Sequence, residues 1–211
     1  VKQDHLDHFL NALRQSAADE PATLVADMVA LRLEPETIAR LYVPEAARCL
    51  GRQWEADEIT FVDVTVRTER LHAVLRYLEE SLEPVAAASR RSLLILVPDG
   101  EQHTLGAYSL AIQLRSAGFY TQLRVAPLAS DLTQLLSHMQ FDLALVSVGC
   151  SKGLTSAAQL IRALRLVARG PLDIIAGGSI PVTDEVLLAG SGADRVIRDI
   201  SVFMKEFAGV S

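Results

Sequence analysis

The stretch Glu101-Gln102-His103-Thr104-Leu105-Gly106 sets a carboxylate, an imidazole and a glycine two and three residues apart. It follows the apolar run 93–97 and the turn-forming Pro98-Asp99-Gly100. A histidine on a polar loop just past a buried strand is well placed to ligate a metal. A ligating imidazole needs its second nitrogen held by an acceptor, commonly a carboxylate. Glu101 is close enough on the same loop to serve, and Gly106 carries no side chain to keep the loop from a flat macrocycle. A plainer reading makes His103 a polar loop residue that caps the helix expected from 104.

Other unusual residues end the next apolar runs. Ser147-Val148-Gly149-Cys150 ends one, and Gly177-Gly178-Ser179 follows another. A dinucleotide site calls for GxGxxG, and only Gly100 and Gly106 stand in that position. The phosphate loop GxxxxGK[ST] is absent. A flavin mononucleotide site favours a Ser/Thr-rich loop, where Thr104 stands alone. A phosphoacceptor needs an aspartate where Ser147 ends its strand. A hydrolase built on Ser147 and His103 lacks the GxSxG elbow. A histidine offered to a metal remains. Gly177-Gly178 also fits a simple tight turn. Cys150 has a redox reading beside the commoner one of a small buried thiol.

These residues need a scaffold, and the chain has two periods. Residues 1–85 read as helix. Leu6, Phe9, Leu10 and Leu13 form one stripe; Leu24, Val25, Met28 and Val29 form a second. Ile38, Leu41 and Tyr42, continued past a kink at Pro44 by Ala47 and Leu50, form a third. A fourth starts near Asp57 and carries Ile59, Phe61, Val62, Leu71, Val74, Leu75 and Leu78. Glu20-Pro21 and Glu34-Pro35 look like helix starts. Residues 82–92 read as a linker. His5, His8, His72 and His138 lie on helical patterns and are expected at the surface.

From residue 86 onward, strands expected at 92–97, 120–126, 142–148, 172–176 and 194–197 alternate with helices near 104–117, 130–139, 154–169, 181–190 and 199–207. Strands apolar almost throughout suit a parallel sheet covered on both faces. The fold class is therefore α/β: an N-terminal four-helix bundle over 1–85, then a flavodoxin-like, doubly wound five-stranded parallel sheet over 86–211, in order 2-1-3-4-5. Ligands of such sheets bind beyond the carboxyl ends of the strands, between strands 1 and 3. The candidate residues all fall on that rim.

Composition narrows the rest. Half of the 211 residues are apolar and 22% are charged, with a net charge of −6. Residues 1–88 hold 9 basic and 16 acidic side chains, and the remainder 11 and 10. Neither half shows the clustered Lys and Arg of a phosphate-backbone binder, so no direct nucleic-acid contact is expected. No apolar run is long enough to span a membrane. Two cysteines without metal-like spacing suit a reducing cytoplasm. The opening at Val1 fits a processed or excised segment, and one part of a longer multidomain sensor is an expectation consistent with it.

Together these motifs resemble the cobalamin-binding modules, in which Asp/Glu-x-His-x-x-Gly follows strand 1, Ser-x-Leu ends strand 3 and Gly-Gly follows strand 4. Here they stand as Glu101 to Gly106, Ser147-Val148-Gly149 and Gly177-Gly178. A four-helix cap precedes such modules and corresponds to residues 1–85. The resemblance implies that His103 is the axial ligand of cobalt and Glu101 its orienting partner. It implies that Ser147 and Gly149 line the slot for the cofactor's nucleotide tail, with Gly177 and Gly178 making room beside it.

The resemblance extends to bacterial photosensors and antirepressors of the CarH and AerR/PpaA type and to the haem-sensing relative in AppA. Residues 50–65, LGRQWEADEITFVDVT, resemble the cap stretch in which a tryptophan, here Trp54, packs on the upper face. Ordinary bundle core is the plainer reading of Trp54. In CarH nine residues separate that tryptophan from Glu-His; Val64-Thr65 stand here, which removes the upper-face histidine. No counterpart of CarH's DNA-binding domain is expected within these 211 residues. Two further departures are Glu for Asp at 101 and Gly for Leu at 149.

The implied function is a light-responsive regulatory sensor and not an enzyme. It would bind adenosylcobalamin or hydroxocobalamin and act by protein contact on a transcriptional repressor of the PpsR/CrtJ type. The alternatives are a haem sensor on the same scaffold, or a corrinoid methyl carrier serving a methyltransferase.

Overall fold

The computed structural model describes residues 1–15, 20–81, 91–101 and 103–207, without the side chains of 151 and 152. The chain divides into two compact units, Val1–Glu83 and Pro84–Ser211. Most of the expected linker, with the boundary between 85 and 86, lies outside the described residues, as does Gln102.

The first unit is helical: α1 (Gln3–Ala12), α2 (Pro21–Ala30), a third run formed by α3 (Pro35–Thr37), a π-turn (Ile38–Tyr42) and α4 (Val43–Glu55), and α5 (Phe61–Ser81). Pro21 and Pro35 each open their helix, where the missing N–H costs nothing. The kink expected at Pro44 takes the form of the π-turn just before it, and Pro44 sits in the first turn of α4. One residue is looped out there, as in other single-turn π-bulges. Leu6, Phe9, Leu24, Met28, Ile38, Leu50, Leu71 and Leu75 fill the core of this unit.

Three local expectations for this unit are corrected. The fourth helix does not begin near Asp57. Asp57 adopts φ 56° and ends α4, with its N–H donating to the Trp54 carbonyl. The helix starts after Thr60, whose Oγ1 accepts from Asp63 N–H while Asp63 Oδ2 accepts from Thr60 N–H. This reciprocal pair is a capping box. Phe61 and Val62 are exposed and only Leu71, Val74, Leu75 and Leu78 of the expected stripe are buried, because the packed face of α5 lies in its C-terminal half. His72 is buried, not superficial, since it shares that face.

The second unit is a parallel sheet of β1 (Ser92–Val97), β2 (Tyr120–Val125), β3 (Leu143–Ser147), β4 (Asp173–Gly177) and β5 (Arg195–Val196), ordered β2-β1-β3-β4-β5. The connecting helices are α6 (Leu105–Ser116), α7 (Ala129–His138), α8 (Ser151–Val167), α9 (Asp184–Ser191) and α10 (Ile200–Phe207). Leu94, Leu96, Ala144, Val146, Ile174 and Ala176 face Leu132, Ile161 and Leu187 of α7, α8 and α9. The alternate residues Leu93, Ile95, Leu143, Leu145 and Ile175 face Ala107, Ala111, Leu114 and Phe203 of α6 and α10. Both faces are thus covered, which explains why the strands read as unbroken apolar runs. β1 and β3 pair in register from Leu93↔Leu143 to Leu96↔Val146, so their carboxyl ends lie side by side.

Candidate metal centre

The β1–α6 loop is shaped by one turn. Gly100 has φ 76°, a conformation that suits glycine, and Glu101 N–H donates back to the Pro98 carbonyl. This turns Glu101 inward. Its side chain is wholly buried, whereas that of His103 is 62% exposed.

A buried carboxylate needs partners, and Glu101 has four. Oε1 accepts from His103 N–H at 2.8 Å and meets His103 Nδ1 at 2.7 Å. Oε2 accepts from Gly149 N–H at 2.7 Å and from Cys150 N–H at 3.2 Å. Burial alone raises a carboxyl pKa, but here the N–H groups of His103 and Gly149 and the imidazole outweigh it and hold Glu101 below the ordinary range. An ionised carboxylate only accepts, so Nδ1 carries the proton. In the neutral ring that tautomer leaves the lone pair on Nε2, on a side chain that is largely exposed. Fixing one nitrogen and offering the other is what a metal-ligating histidine requires. His103 does not cap α6; Thr104 stands at the N-cap, without a side-chain cap bond.

Cys150 lies at the same place. Ligand atoms of Glu101, His103 and Cys150 lie within 4.8 Å of one another. Since both Glu101 oxygens are engaged by donors, His103 is the stronger metal-facing group of the three.

The remaining expected residues fall as follows. Thr104 and Leu105 are partly buried at the start of α6. Gly106 is exposed, with no protein atom within 4 Å of where a Cβ would stand. Ser147 ends β3, paired in register with Gly177 at the end of β4. Val148 is fully buried in the core, so its side chain lines no surface. Gly149 packs against His103. Gly177 and Gly178 are needed by the chain itself: a Cβ would stand 2.4 Å from the Ile197 carbonyl oxygen and 2.3 Å from that of Val148. Trp54, in the last turn of α4, is 49% exposed and therefore not ordinary bundle core.

Two residues with a part in the site escaped the sequence reading. Gly153, in the first turn of α8, would place a Cβ 2.9 Å from Glu101 Oε2. A poor helix former at a helix start, four residues after Gly149, was its signal. Arg198 holds the β4–α9 loop: it donates to the carbonyls of Gly178 (3.2 Å), Ile180 (2.7 Å) and Val182 (2.7 Å) and pairs with Asp184 Oδ1 at 2.6 Å. Nothing in its sequence surroundings marks it. An open cavity of about 450 Å³, lined by Arg165, Pro171, Asp173 and Asp194, lies at the amino end of β4 and includes none of the candidate residues. No helix among the described residues is long and apolar enough to cross a membrane.

No family model matches the chain. Among solved structures, the monomethylamine corrinoid protein of Methanosarcina barkeri shares the fold, with a TM-score of 0.70 and 19% identity over 98% of each chain. A cobalamin-binding protein from Desulfitobacterium hafniense DCB-2 aligns with a TM-score of 0.49 and 20% identity over 95% of this chain and 96% of that one. The uncharacterized 20.5 kDa protein of the bchF-crtJ intergenic region of Rhodobacter capsulatus is 37% identical over 175 residues, 82% of this chain and 91% of that protein. At that identity and coverage, the chain belongs to the family of this Rhodobacter capsulatus protein.

Proposed function

We propose that this protein binds cobalamin through His103 and works as a light-responsive regulator, an antirepressor that contacts a transcriptional repressor of the PpsR/CrtJ type. The observation that carries the reading is the imidazole itself: Nδ1 is held by a buried, ionised Glu101 and Nε2 is offered from an exposed ring. That donor chemistry fits a cobalt axial site. Glu101 orients the ring. Gly106 leaves open space beside the loop. Ser147 and Gly149 line the tail slot, and Arg198 and Gly178 keep the β4–α9 loop in place next to it. Trp54, exposed on the first unit, is the residue that the resemblance assigns to the upper side of the ring. When bound, adenosylcobalamin would supply a light-labile cobalt–carbon bond.

Two features support regulation. The family relative is named for a gene position beside crtJ, and the resemblance points to a CrtJ-type repressor as partner. The proposed logic is a ligand change that biases two arrangements of one interface. The fold match to a monomethylamine corrinoid protein favours a second reading, a methyl carrier.

An absorption titration separates these. The protein and its His103→Ala variant would each receive hydroxocobalamin, adenosylcobalamin and haemin, in the dark and after blue-green light. A cobalamin spectrum that shifts on binding, changes with light and loses its shift in the variant is expected. Pull-down of the repressor should then differ between dark and lit protein. A Soret band with haemin and no retained cobalamin overturns the cobalamin reading. Light-insensitive cobalamin that accepts a methyl group from a donor methyltransferase establishes the carrier instead.

A further inference from the structure

We propose that Gly149 and Gly153 are positioning residues matched to the glutamate at 101, forming a socket that takes a long carboxylate and sets which imidazole nitrogen His103 presents to a metal. The inference concerns the protein without cofactor. It rests on the cobalamin reading only for what the presented nitrogen is used for.

Length comes first. Glutamate is one methylene longer than aspartate, and here that length carries Oε2 from the β1–α6 loop to the N–H groups of Gly149 and Cys150 at the start of α8. Oε1 is left for both His103 donors. Four donors occupy the roughly four acceptor sites of a carboxylate, so no tilt of the group improves one bond without losing another.

Space comes second. A Cβ at Gly149 would stand 2.8 Å from His103 Cβ and 3.0 Å from Glu101 Oε1. A Cβ at Gly153 would stand 2.9 Å from Glu101 Oε2. His103 Cβ is fixed to its backbone, and the carboxylate is buried and bonded on both sides, so neither can step aside freely. The long acid at 101 and the glycines at 149 and 153 are therefore parts of one arrangement. The longer acid needs the smaller neighbour.

Conformational freedom does not explain these glycines. Neither Gly149 nor Gly153 has a positive φ, unlike Gly100, Gly118, Gly178 and Gly192. Alanine fits their backbone, and in α8 it is the better helix former. Helix propensity alone would therefore favour alanine at 153, and the space taken by Glu101 is what calls for glycine. The socket further requires that a side chain at 153 disturb His103 through Glu101.

The test is the tautomer of His103 in the cofactor-free protein, read from its two ring 15N shifts at mildly alkaline pH, with Gly51→Ala as control because nothing lies within 4 Å of that Cβ position. The unaltered protein should show a protonated Nδ1 and a bare Nε2. Gly153→Ala, Gly149→Ala and Glu101→Asp should each move His103 toward mixed tautomers, and the control should not. In the Glu101→Asp background, Gly153→Ala should add little, since the shortened acid has withdrawn from the new Cβ. Wild-type shifts in a folded Gly153→Ala variant, or effects of Gly153→Ala and Glu101→Asp that simply add, overturn the socket. Hydroxocobalamin titration of the same variants forms a separate arm, in which affinity should fall about 10- to 100-fold. If the tautomers respond as stated and no cobalamin binds to any form, the socket stands and the cobalamin reading falls.

Discussion

Glu101 and Gly149 are 48 residues apart in the chain and 2.7 Å apart in space, the carboxylate Oε2 accepting the glycine N–H. Through its other oxygen the same carboxylate holds His103. One buried side chain thus ties the β1 and β3 loops together at the point where the doubly wound sheet reverses its strand order.

Removing the charge from Glu101 tests that tie. Glu101→Gln keeps the size but turns an NH₂ toward groups that are all donors. Denaturant unfolding should show a loss of about 2 to 3 kcal/mol, the range for a buried donor network left partly unsatisfied. A loss below about 0.5 kcal/mol would mean that the pocket accepts the amide as readily as the carboxylate.

Two glycines of the rim should behave oppositely. Gly178 has φ 119°, and its Cβ position meets the Val148 carbonyl, so Gly178→Ala should cost about 3 kcal/mol or more and lower the yield of folded protein. Gly106 lies in open space at the start of α6, so Gly106→Ala should leave the melting temperature unchanged or raise it slightly. Any loss of cobalamin affinity in Gly106→Ala then reports a ligand contact and not a damaged fold.

Arg198 is the clamp of the β4–α9 loop. Arg198→Met leaves three carbonyls and Asp184 without their guanidinium, while Arg198→Lys replaces a planar fork by a single compact charge. Hydrogen exchange should accelerate in 178–184 for both variants, with β1 and β3 unchanged. A global stability loss of about 1 to 2 kcal/mol is expected for Arg198→Met. Unaltered exchange in that loop would show that its other contacts suffice.

His72 gives the helical unit a pH dependence. Burial lowers its pKa, against the opposing pull of Glu69. The unfolded chain then takes up a proton near pH ~6.5 that the folded chain refuses. Stability is full above that value and falls as the pH drops toward the folded pKa, with a slope of at most about 1.4 kcal/mol per pH unit. Thermal melts of the unaltered protein and His72→Gln from neutral to mildly acidic pH should converge as the pH falls. Parallel curves would assign the slope to other groups.

The period of the apolar residues depends only on neighbours along the chain, and it foretold the helical first unit, the five strands and the helices between them. Strand order followed because unbroken β/α alternation and right-handed crossovers leave few topologies. The loop Glu101-x-His103 was legible for the same reason, since acid and imidazole are two residues apart. His72 and the start of α5 were misjudged because packing and capping, not propensity, decided which face and which turn came first.

What only the tertiary structure decided lies between segments distant in sequence. That Glu101 is wholly buried, that Gly149 and Gly153 must lack side chains to admit it, and that Arg198 holds the β4–α9 loop are facts about space shared by residues well separated in the chain, 14 positions apart for Arg198 and Asp184 and 48 for Glu101 and Gly149. Local pattern carries no information about such space, because a Cβ clash exists only once two loops have been brought together by the sheet that both of them end.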